Sequence, residues 1–148
     1  MKNLVLTCGI LALSFSEVAA QDLQSANVPA AVRSSFQKMF PKAADAEWEM
    51  KGNLYEVDFE TGALGDDHTA YFSKDGRLVK HEEEMPDNSL PKTVTASISK
   101  SFAGYRVDDV KKITEGKKVM YKTELKNGTQ EWKVAFDAQG RVLEKRMD

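Results

Sequence analysis

One short pattern occurs twice in this chain, and the repetition limits its fold more than any other feature. Tyr71 to Leu78 reads YFSKDGRL and Ala135 to Val142 reads AFDAQGRV. A constant offset of 64 residues relates Phe72 to Phe136, Gly76 to Gly140 and Leu78 to Val142. In each copy an aromatic-bearing strand runs into polar turn residues and a glycine, then leaves as a second strand. The pattern is the centre of a hairpin, made twice.

The sequence upstream of each hairpin repeats as well. Val28-Pro29 opens a helical pattern in which Ala31, Val32, Ser35, Phe36, Met39 and Phe40 form one stripe. Asn27 is the expected N-cap, and Pro41 stops the helix because the residue before a proline is pushed out of the α region. Leu90-Pro91 repeats Val28-Pro29 at an offset of 62, and Val94, Ile98 and Phe102 match Val32, Phe36 and Phe40.

Alternating strand patterns follow each helix. In the first copy they are Ala46 to Met50; Tyr55, Val57 and Phe59; His68, Ala70 and Phe72; and Arg77 to Glu84. The charged end of the last one reads as an exposed sheet edge. Thr61 to Asp67 reads as a longer loop. In the second copy they are Val107 to Ile113; Val119, Tyr121, Thr123 and Leu125; Trp132, Val134 and Phe136; and Arg141 to Met147. Asn127-Gly128 between two of these is a strong hairpin signal, which also accounts for the Asn127-Gly128-Thr129 sequon.

The expected fold class is therefore α+β. A helix-plus-antiparallel-meander unit is duplicated in tandem, and the copies join edge to edge into one continuous antiparallel sheet of about eight strands with two helices on one face. A unit of about 60 residues without disulfides is marginal alone. Two units are expected to share one apolar interior, with the other sheet face open. Residues 28–148 read as a single domain, made of repeat one (28–85) and repeat two (90–148), after a loose leader at 21–27.

Residues 1–20 read as a secretory signal. Lys2 gives the positive start, Leu4 to Phe15 an apolar run too short for a stable anchor, and Val18-Ala19-Ala20 a cleavage site before Gln21. The expected location is the periplasm or outside the cell, without membrane insertion after cleavage. The single cysteine, Cys8, lies inside that segment, so the rest of the chain has neither disulfide nor cysteine nucleophile. A net charge of −2 with interspersed signs argues against nucleic acid as a partner.

The signal, the VPxxVxxxFxxxFP helix, the tryptophan strand and the YFSKDGRL hairpin, all but the signal duplicated, resemble the PepSY-like proteins of Bacteroidetes. That family is similar to the beta-lactamase-inhibitor-protein fold. The resemblance implies a non-catalytic envelope or secreted protein that presents a sheet face to a partner. It does not imply a beta-lactamase as the target.

Little chemistry is written in the side chains. His68 and His81 flank one hairpin near Asp66-Asp67 and are the candidates for a weak metal site, although His68 occupies the row where the second copy has Trp132. No nucleophile motif or phosphate loop occurs, and no cofactor is expected. Binding candidates lie on the open face: Tyr71, whose neighbours Ala70 and Phe72 point inward; Met120; and the charges Glu56, Asp58, Lys122, Glu124 and Lys133. Trp48 is either core or anchor; its counterpart Val110 favours core. The mixed charges suit an envelope or extracellular protein or peptide, and inhibition of an envelope enzyme is one such role. The alternative is a carrier holding a small apolar molecule between helices and sheet.

Overall fold

The computed structural model describes residues 21–148; the signal-like segment, with Cys8 and the expected cleavage site, lies outside them. In chain order the elements are β1 (Gln21–Leu23), α1 (Ala30–Met39), β2 (Ala44–Lys51), β3 (Leu54–Thr61), β4 (Asp66–Phe72), β5 (Leu78–Met85), α2 (Lys92–Ser101), β6 (Arg106–Glu115), β7 (Lys118–Asn127), β8 (Gln130–Asp137) and β9 (Val142–Met147). A short 3₁₀ turn, Ser25–Asn27, follows β1. Nine strands form one antiparallel sheet whose spatial order is their chain order. Each repeat is thus one helix and four strands, and the duplicated α+β architecture is as expected.

Four local expectations are corrected. Gln21–Leu23 is not a loose leader but the ninth strand, with Leu23 opposite Trp48 in the β1–β2 pairing. Pro29, not Asn27, is the N-cap of α1, and no side chain caps the helix. Thr61 and Asp66 pair, so the predicted long loop shrinks to residues 62–65. β5 is not an edge: it pairs with β6 from Lys80↔Glu115 to Met85↔Val110 and joins the two repeats. Its charges face other strands as well as water.

Strand register shows why both helices share a face. Ala70 lies opposite His81, Met85 opposite Val110, Val110 opposite Thr123, and Thr123 opposite Val134. Directly paired residues point to the same side. The row that α1 covers is therefore continuous with the row that α2 covers.

The apolar interior is divided, not shared. Val28, Val32, Phe36, Trp48, Val57, Phe59, Ala70 and Phe72 make one cluster. Leu90, Val94, Ile98, Phe102, Val110, Tyr121, Leu125, Val134 and Phe136 make the other. Between them the helix-facing seam carries His81, Glu83, Lys112 and Thr114, which are too polar to continue a core; Glu83 and Lys112 meet there at 3.7 Å. Phe36 anchors the first cluster, with its ring centroid 5.3 Å from Trp48 and 5.1 Å from Phe59, both edge-on. Trp48 is core. In the second cluster Phe102 takes that part, 6.1 Å from Trp132 and 6.5 Å from Phe136. Met39, expected in the buried stripe of α1, is exposed.

The repeated glycine has a packing reason. Gly76 and Gly140 have φ of +85° and +81°, where a β-carbon is disfavoured. A β-carbon at Gly76 would lie 2.6 Å from the Ala31 carbonyl oxygen, and one at Gly140 would overlap the Thr93 carbonyl. Each hairpin tip therefore presses its backbone on the first turn of its helix. The turns match too: Ser73 N–H donates to Arg77 O and Asp137 N–H to Arg141 O, both at 3.0 Å.

Gly140→Ala should destabilise the protein by about 2–4 kcal/mol, since strain and a backbone clash act together. Gly116, at φ +57° with open space around it, is the control, and its alanine variant should lose about 1 kcal/mol. Urea denaturation of both variants checks this; equal losses would show that the helix contact is not what selects glycine.

Candidate functional site

The sheet face opposite the helices is covered by no described element. Alternation along the strands places all seven predicted binding residues on it: Glu56 and Asp58 on β3, Tyr71 on β4, Met120, Lys122 and Glu124 on β7, and Lys133 on β8. The structure does not gather them into one patch. Glu56 pairs with Tyr71 and Lys122 with Ala135, and β5 and β6 lie between the two groups.

Tyr71 is less free than its alternation suggests. It is half-buried, with the Lys80 ammonium 4.6 Å from its ring centroid. Burial first, then the Glu56 carboxylate beside it, push its hydroxyl well above the usual tyrosine range.

The open face also holds buried residues, among them Glu56, which alternation assigned to solvent. Glu56 is only 5% exposed and Ile113 only 1%, and Ala135 and Asp137 are buried too. Nothing in the helical or strand period marks them, because flanking side chains on neighbouring strands shelter them. Around Ala135 a hollow of about 500 Å³ is lined by Lys111, Lys122, Lys133, Glu144 and Arg146 among others.

The charges are segregated rather than mixed. On the first repeat acids stand opposite acids: Asp22 and Glu49; Glu49 and Glu56, and Glu47 and Asp58; Glu60 and Asp67. Lys51 answers two of them, 3.3 Å from Glu56 and 3.9 Å from Glu49. On the second repeat like charges also stand opposite, Asp109 and Glu124, and Lys111 and Lys122, and Lys133 and Arg146, but basic pairs lie beside acidic ones and ion pairs link the two signs. Lys126 lies 3.4 Å from Glu124 and 3.7 Å from Glu131, and Lys133 lies 3.6 Å from Glu124 and 2.8 Å from Asp148.

The histidines meet on the other face, beside the first core. His68 Nδ1 and His81 Nε2 are 3.1 Å apart, and Thr61 Oγ1 is 2.8 Å from His68 Nε2. Both rings stack over Phe59, and His81 also packs on Phe40. Three of the four ring nitrogens are thus engaged with protein groups. Among the described residues, no group of three or more His, Cys, Asp or Glu is placed to hold a metal ion. Close-packed rings fill the space between α1 and the sheet, where the carrier alternative would need room.

A family model described as "Putative beta-lactamase-inhibitor-like, PepSY-like" matches residues 15–80 and again residues 53–144. The chain belongs to this family, and the paired match fits the duplication. Solved structures with the same fold include a "putative periplasmic" protein of Bacteroides eggerthii, 20% identical with a TM-score of 0.71 over 81% of this chain and 88% of that one. A DUF2874 family protein of Bacteroides ovatus is 22% identical with a TM-score of 0.69, over 80% of this chain and 86% of that one. A BLIP-like protein of Bacteroides fragilis is 22% identical with a TM-score of 0.67 over the same shares. No curated protein matches.

Burial, and then neighbouring His68, hold the His81 imidazole below its ordinary value of 6.5, with Glu83 pulling the other way. A base whose pKa falls on folding binds protons more readily unfolded, so its contribution is complete above about pH 6.5 and is lost as the pH falls below that. The thermal midpoint should drop between about pH 7.5 and about pH 5.5, and His81→Phe, which keeps the ring stack, should shrink that drop. An undiminished drop in the variant would assign it to other groups.

Proposed function

We propose that this PepSY-like chain is a non-catalytic binding module of the cell envelope or its exterior, engaging a protein or peptide through the uncovered sheet face. One observation carries the reading. The duplicated fold places both helices on one side and leaves the other face of nine strands uncovered by any described element, and on it the half-buried Tyr71 is held by the buried Glu56 beside it. Such pre-ordered side chains lose little entropy when a partner docks. Tyrosine and methionine, here Tyr71 and Met120, are also residues that interfaces favour.

The family's description supports inhibition of an envelope enzyme as the mode of action, with the enzyme unspecified. The signal-like residues 1–20 and the periplasmic description of one structural relative support export. No described helix is long and apolar enough to cross a membrane.

Capture from the native envelope extract tests the face. The double variant Tyr71→Ser, Met120→Ser should lose partners that the parent chain retains, while its thermal midpoint shows it still folded. A folded variant that retains every partner would move the binding surface elsewhere.

A further inference from the structure

Like charges placed directly opposite on neighbouring strands destabilise a sheet. The open face of the first repeat contains such pairs in series, Glu49 with Glu56 and Glu47 with Asp58. The strain is deepest at Glu56. This side chain is 5% exposed, its Oε1 lies 3.3 Å from Lys51 Nζ, and its Oε2 has no partner among the described residues. A buried carboxylate oxygen without a donor is costly. The second repeat also sets like charges opposite, Asp109 with Glu124 and Lys111 with Lys122 and Lys133 with Arg146. There, however, basic pairs lie beside acidic ones and ion pairs link them, so the acidic half is not a general requirement of the fold.

We propose that the first-repeat half of the open face, centred on Glu56 with Glu49, Asp58 and Tyr71 around it, docks a cationic segment of a partner protein. The inference rests on the open face being the binding surface and narrows it to one half and one partner chemistry. An arginine fits best. Its planar guanidinium carries several donors, so it can bridge Glu49 and Asp58 at the surface and, where the side chains over Glu56 part on docking, supply the donor that the enclosed Oε2 lacks. It can also lie against the Tyr71 ring, as Lys80 already does at 4.6 Å.

The test is fluorescence anisotropy with a labelled hexa-arginine peptide, and a hexa-glutamate peptide as control. The parent chain should bind the first and not the second, more weakly at about 200 mM salt than at about 50 mM. Glu56→Gln and Glu49→Gln should each weaken binding about tenfold, the loss expected when one charged hydrogen bond is removed. Asp87→Asn removes the same charge from the exposed linker after β5 and should change affinity less than about twofold. Lys122→Ser, on the other half, should not weaken it.

Glu56→Gln should also be at least as stable to urea as the parent, because it removes a buried charge that stands opposite Glu49 and keeps a side-chain oxygen for Lys51. If that variant does not fold, Glu49→Gln, on the less buried partner strand, decides the matter. No hexa-arginine binding at low salt, or losses equal to that of Asp87→Asn, would overturn the cationic partner. That result would leave the open-face reading standing if the Tyr71, Met120 variant still loses its partners.

Discussion

The pairing of β5 with β6 is the constraint on which the rest of the molecule depends. Six residue pairs, from Lys80↔Glu115 to Met85↔Val110, join the repeats. Side chains alternate between sheet faces, so a slip of one residue at this seam would turn the second repeat over. Its helix would then lie on the opposite side, and no broad bare surface would remain. Register at one strand pair therefore decides whether the protein has a free face at all. The ion pair between Glu83 and Lys112 at 3.7 Å adds side-chain specificity to the backbone ladder there.

Within each repeat a second constraint operates at short range. A glycine at the hairpin tip touches the first helical turn, and an aromatic on the strand entering that turn, Phe72 or Phe136, fills the core beneath. Phe72 and Phe136 are both fully buried. The helix cannot shift along the sheet without losing either the tip contact or the ring packing. This coupling explains why Phe, Gly and the following aliphatic recur together at one offset, while the residues between them drift from SKD to DAQ.

Much of this architecture could be read from residue order. The 64-residue echo fixed the hairpins, the 62-residue echo the helices, and alternation assigned Val57, Phe59, Ala70, Val134 and Phe136 to the interior. What could not be read was whatever depends on which strand lies beside which. β5 looked like an edge because its charges are the composition of one, and only the pairing with β6 shows Glu84 facing Lys111 and Glu83 facing Lys112. The shared interior failed for the same reason, since the polar seam is formed by residues from two repeats. The site followed suit. All seven candidate residues lie on the open face, yet the face looked evenly mixed until register set Glu49 against Glu56. Burial of Glu56 depends on the register that sets Glu49 and Tyr71 beside it, which alternation within one strand does not give.

The divided interior has a mechanical consequence. Two plates, each a helix clamped to four strands, meet along a line where little apolar material crosses. Such a joint resists sliding along the strands, because that breaks every backbone bond at once, but yields more readily to flexing across them. The angle between the plates sets how far the acidic half of the bare face stands from the interlocked half. A partner spanning both would therefore read curvature as well as charge.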